Sequence, residues 1–156
     1  MNSILKEFQI GFVVLAVFLT LDLPMITLIN KKMYQDQLNL INGSNTVNTS
    51  RVIISAAITY LLLALGIYYF GVKQKSFYNA AIFGVIVYGV YNFTNLATIS
   101  KYGVKESMID TAWGTILCVL VTFIALEINS RFLSGSSISE LSPAPEILTT
   151  TDVPSN

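Results

Sequence analysis

The chain has 156 residues, of which 53% are hydrophobic and only 12% charged, with nine basic and nine acidic side chains; its mean hydropathy is +0.64. A soluble domain is about a quarter charged, so this composition excludes one and points to an integral membrane protein. With no histidine and one cysteine, Cys118, there is no internal disulfide and no imidazole or thiolate cluster for zinc, haem or iron–sulfur ligation, and no cofactor is expected. Zero net charge gives no basic face for nucleic acid.

Four apolar runs are long enough to cross a bilayer. They cover about residues 8–29, 52–70, 79–99 and 107–128, each matching a hydrocarbon core of ~30 Å at ~1.5 Å per residue. Backbone amides cannot go unpaired in lipid, so the runs predict helices rather than strands. The first run lacks a clear small-residue cleavage site and continues past Asp22 and Pro24, which reads as a span and not a signal peptide. Pro24 has no amide for the carbonyl of Thr20, so the helix is expected to be disturbed there.

The first loop opens KKMYQDQLNLI. There Tyr34, Leu38 and Ile41 recur at helical spacing, so the first helix is expected to extend outward or bend onto the interface. NGSNTVNTS then reads as loop, with glycosylation sequons at Asn42 and Asn48 that are usable only if it is luminal. GVKQKSFY, residues 71–78, is a tight turn, which predicts antiparallel neighbouring helices two and three. KYGVKE, residues 101–106, is equally short. Residues 132–156 are rich in Ser, Thr and Pro and are expected to form a disordered tail.

The expected fold is therefore an all-α membrane protein, a four-helix bundle running up-down-up-down with both termini on one side. Lys6, Lys73, Lys75 and Arg131 lie on the terminal side; Lys31, Lys32, Arg51, Lys101 and Lys105 lie opposite. That balance assigns no orientation.

The informative residues are the polar ones inside the spans. In YGVYNFTNLAT, residues 88–98, Tyr88, Tyr91, Asn92 and Asn95 share a helical stripe with Gly84. Helix one carries Asp22, helix two Ser55 and Thr59, and helix four Asp110 with Trp113 and Gly114. Counting helical rise from the face carrying the first and third loops puts Asp22 about 11 Å deep, Asn92 and Thr59 about 10 Å, Asn95 about 6 Å and Asp110 about 5 Å. All five fall in one half of the bilayer and are expected to converge on a shared interior site. A lone carboxylate in lipid costs several kcal/mol, so Asp22 should face the bundle or water.

Each of these residues also has a simpler reading. Asparagines can be helix–helix glue, Asp110 can cap the first turn of helix four, and Thr59 can bond its own helix. Tyr78, Trp113 and Tyr102 read as interface anchors, and Gly84 and Gly89 as points of close helix approach.

The segments FLTLD (18–22), AAITYLLLALGIYYFGV (56–72), YGVYNFTNLAT (88–98) and MIDTAWGT (108–115) resemble the DUF2177 family of small membrane proteins, over about residues 12–128. The resemblance implies a four-span protein and brings no activity. Asp22, Thr94, Asn95, Asp110, Trp113 and Gly114 keep the family pattern. The family typically has aspartate at the position of Asn92, and tryptophan near Met25 and at Tyr102. A mechanism needing three carboxylates is therefore not expected here, whereas a neutral hydrogen-bonding site survives.

Three functions follow as expectations. In the first, a channel or transporter-like protein, Asp22, Thr59, Tyr88, Asn92, Thr94, Asn95 and Asp110 form the pathway or site for a proton, a cation or a small polar ligand. Few polar groups lie in the terminal half, which argues against an open pore and makes a homo-oligomer the way to build a continuous path. In the second, a structural or interaction protein, the buried Asp/Asn network fixes helix packing. The third, a membrane-embedded enzyme, has least support, because Asp22 and Asp110 come with no Asp/His motif and no basic phosphate clamp.

Overall fold

A computed structural model describes residues 3–29, 31–32, 35–36, 39 and 49–133. Helix α1 spans Ser3–Pro24, α2 Thr49–Ile67, α3 Phe77–Thr98 and α4 Val104–Ile128. With their terminal turns, all four are long and apolar enough to cross a membrane. The fold is the expected four-helix membrane bundle and the protein is a multi-pass integral membrane protein. Within the first loop, positions 34, 38 and 41 lie outside the described residues, as do the loop from 40 to 48 with Asn42 and Asn48, and the tail beyond 133.

Regular α geometry ends at Pro24, and Met25–Ile29 continues as a π-helical turn. The wider turn follows from the proline, which removes one amide and presses its ring on the preceding turn. Similar turns end α2 at Tyr68–Val72 and α4 at Asn129–Leu133.

The α2–α3 connection closes tightly. The Ser76 amide donates to Gly71 O at 3.0 Å and the Lys75 amide to Val72 O at 3.1 Å, with Lys75 in the left-handed region at φ 49°. Ser76 then caps α3, its hydroxyl oxygen accepting from the Asn79 amide at 3.2 Å, which satisfies one of the free donors of the first turn.

The turn makes α2 and α3 neighbours only near their joined ends, where Phe70 stacks on Phe83 at 5.3 Å. The largest interface is α3 on α4, and α1 packs on both α4 and α2. Helix α4 is the central element, burying Ser107, Gly114, Leu117, Cys118, Val121, Thr122 and Ala125. Gly84 and Gly114 permit the α3–α4 approach. A Cβ on Gly84 would stand 2.7 Å from the Thr115 Cα, and one on Gly114 would enter the Tyr88 ring.

Lys73 in the α2–α3 turn pairs with Glu7 at the start of α1 at 3.6 Å, which places these segments together at one end of the bundle. Outward faces are mostly apolar, as with Phe12, Leu62, Val90 and Phe123. In water that would be an unburied surface; in lipid it is the solvated face.

Candidate functional site

The interior polar groups form two tiers, about one helical turn apart on α3 and α4. The upper tier is built around Asn92, which is 0% exposed. Its Nδ2 donates to the Asp110 carboxylate at 2.8 Å, to Thr111 Oγ1 at 3.3 Å and to the Tyr88 carbonyl at 2.9 Å. Its Oδ1 accepts from the Tyr102 hydroxyl at 2.9 Å. Thr111 in turn gives its hydroxyl to Ser107 O at 2.8 Å.

Tyr102 sits in the short α3–α4 connection. Burial pushes its phenol from 10.0 up to about 12, so it stays a protonated donor across the physiological range. The side chains of Asn95 and Tyr91 also meet this hydroxyl.

The lower tier centres on Asp22, 6% exposed. Its Oδ2 accepts from the Tyr60 hydroxyl at 2.9 Å and its Oδ1 from Trp113 Nε1 at 3.1 Å. One carboxyl thus ties α1 to α2 and α4. Tyr60 is held edge-on against Phe18, with ring centroids 5.4 Å apart, and Tyr88 lies over Gly114, one turn below Asn92.

The structure therefore brings Asn92 and Asp110 together, with Asn95 beside the same Tyr102 hydroxyl, and sets Asp22 one tier away, on the level of the Tyr88 ring, with aromatic partners in place of the asparagines. Thr59 and Thr94 join neither tier. Both are exposed on the bundle's outer surface, and Thr59 gives its hydroxyl to the Ser55 carbonyl at 2.9 Å. Threonine can satisfy itself on its own helix in this way, so depth alone does not draw it inward. Tyr91 lies at the flank of its stripe, 59% exposed.

Trp113 and Tyr102, read from the sequence as interface anchors, are instead donors to the buried acceptors. Tyr60 was not singled out at all. The signal that finds it is depth: counted from Val52, it lies about 12 Å in, level with Asp22.

Below the two tiers the bundle axis turns apolar. Val14, Phe18, Ile67, Leu117 and Val121 are fully buried there. The buried hydroxyl of Thr122 bonds its own helix, to Cys118 O at 2.8 Å. Among the described residues, no group of three or more His, Cys, Asp or Glu side chains could hold a metal ion. The ion pairs Glu7–Lys73 and Glu127–Arg131 lie at the terminal end, whereas both donors to Asp22 are neutral.

Residues 8–127 match the family model described as a predicted membrane protein, DUF2177. No curated protein and no solved structure matches the chain.

Proposed function

The chain belongs to the DUF2177 family of membrane proteins, and from that premise we propose that it is transporter-like, with a proton or cation site entered from one membrane face and centred on Asp22. The observation that carries this reading is a carboxyl held deep in the spans by two neutral donors, Tyr60 and Trp113. An intramembrane acid costs several kcal/mol. An asparagine would offer much of the same hydrogen bonding without that cost, so the carboxyl is best explained by what it can bind. Asp110 and Asn92 form the polar approach from the face of the first and third loops, with Asn95 and Tyr102 beside them. Asp110 supplies negative potential that favours a cation or proton over an anion.

The apolar residues beneath Asp22 act as the seal on the terminal side. Such a site works by alternating exposure, not as an open pore. A second copy of the chain is the natural source of further polar groups if an ion crosses the whole bilayer without a large rearrangement.

One observation favours a second reading for the upper tier. The Asn92 amide already has four hydrogen-bond partners, which suits a peg that fixes the α3–α4 register.

The test is flux into vesicles containing the purified full chain, using a pH dye and radiolabelled sodium and potassium under an imposed gradient. Wild type is expected to carry protons or one of these cations above the protein-free rate, and Asp22→Asn to abolish that flux while keeping its helical circular dichroism. Flux unaffected by Asp22→Asn, or none with well-folded wild type, overturns the proposal.

A further inference from the structure

At the opposite end of the molecule from the polar tiers, α1 and α2 part to leave a groove of about 410 Å³. Phe8, Gly11, Phe12 and Leu15 line one wall, and Leu61 and Leu65 the other. A Cβ on Gly11 would meet nothing within 4 Å, so the glycine leaves the middle of the groove open. Along α1 the lining runs from Ile4 to Leu15, eleven steps or about 17 Å of rise. One leaflet of hydrocarbon is about 15 Å deep. The groove therefore has the length of a single acyl chain and stops near the midplane.

A second cavity, of about 280 Å³, adjoins the first at Glu7 and Tyr68 and is lined by Lys6, Lys73 and Lys75. Three lysines against one glutamate leave this mouth with a net charge of +2. Lys73 lies 5.1 Å over the Tyr69 ring centroid as well as beside Glu7, so its ammonium is held at the rim. Asn129 also lines this mouth, and its Oδ1 is buried without a hydrogen-bond partner. It offers an acceptor to a ligand that carries a hydroxyl.

We propose that this is a binding site for an anionic phospholipid, one acyl chain lying in the α1–α2 groove and the phosphate held by Lys6, Lys73 and Lys75. An apolar slot of one-leaflet length that opens directly onto a basic rim matches both halves of such a lipid. Lysine can lay its stem on an apolar wall while its ammonium group reaches the headgroup level. The site is separate from the Asp22 tiers and stands or falls independently of transport.

The experiment is native mass spectrometry of the purified full chain after exchange with phosphatidylglycerol or with phosphatidylcholine of identical chains. Wild type is expected to retain phosphatidylglycerol in preference. Replacing all three lysines with glutamine (Lys6→Gln, Lys73→Gln, Lys75→Gln) should lower its retention by about a hundredfold and remove the preference, because each basic group near the surface contributes separately. Gly11→Phe should fill the slot and reduce retention of both lipids, with helicity by circular dichroism unchanged. Equal retention of the two lipids by wild type overturns the proposal. So does phosphatidylglycerol retention that Gly11→Phe leaves intact, or a wild-type dimer that Gly11→Phe converts to monomer, since the groove would then belong to a second copy.

Discussion

In the half of the bundle nearest the first and third loops, Asp22 and Asn92 are bonded across helices by Tyr60, Trp113, Tyr102, Asp110 and Thr111. In the terminal half, Val14, Phe18, Ile67, Leu117 and Val121 fill the same axis with carbon. Lipid tails are as apolar as leucine, so burying carbon between helices gains little there beyond van der Waals contact. The terminal half therefore depends on close fit, as where Gly71 admits the Thr122 side chain. The loop half adds directional bonds, which fix rotation as well as distance, and it holds the buried Asp22 carboxyl. Close fit holds one half together, and hydrogen bonds between helices are added in the other.

The sharpest way to break this contrast is at the joint between the halves. Gly84→Leu drives a branched side chain into the Thr115 backbone, which cannot rotate away, and should cost about 3 kcal/mol. A thermal melt in detergent would show it as a large fall in midpoint, or as loss of the monodisperse species. Asn92→Leu comes next. It removes the amide's four bonds and strands the Tyr102 donor, for about 2 kcal/mol, measured by the same melt.

A smaller effect belongs to pH. The folded value of the Tyr102 phenol, about 12, lies above its ordinary 10.0. Its contribution to stability is therefore complete below about pH 10 and is lost as pH rises through about 12. The difference in melting temperature between wild type and Tyr102→Phe should be constant up to about pH 10 and shrink above it; a difference that does not narrow removes the phenol from the network. Smallest of all is Thr122→Val in the terminal half. It loses one hydroxyl already bonded to its own helix and should shift stability by less than about 1 kcal/mol. A loss as large as that of Asn92→Leu would erase the distinction between the halves.

The spans were legible in the sequence because twenty apolar residues in a row have few other uses. Their ends were less so. Helix α2 starts at Thr49, α3 at Phe77 and α4 at Val104, two or three residues before the apolar runs begin, since a helix continues through polar residues once it leaves the hydrocarbon. Asp22, Asn92 and Asp110 stood out because polar groups in lipid are costly. Their partners did not. Tyr60, Trp113 and Tyr102 carry a polar tip on an apolar body, and such residues are equally at home facing an interface or a buried acceptor. Depth along each helix follows from counting, which is why Asp22, Asn92 and Asp110 could be placed in one half of the bilayer; rotation about each helix axis does not, and the count alone merged the two tiers into one site. The order of helices around the bundle decides that Asp22 meets Tyr60 and Trp113 while Asn92 meets Asp110. That order rests on contacts such as Gly84 against Thr115, whose partner no local pattern names.

The central claim is that Asp22 is a binding group reached from the loop face. Trp113 is the one tryptophan in the chain and donates directly to Asp22, so its fluorescence reports on that carboxyl. In vesicles of uniform orientation, changing pH, sodium or potassium on the loop face should shift Trp113 emission in wild type and leave Asp22→Asn unmoved, while the same change on the terminal face should do nothing on the same timescale. Emission that ignores all three in wild type, or that responds equally in Asp22→Asn, would contradict the account and leave the carboxyl as a helix-packing group alone.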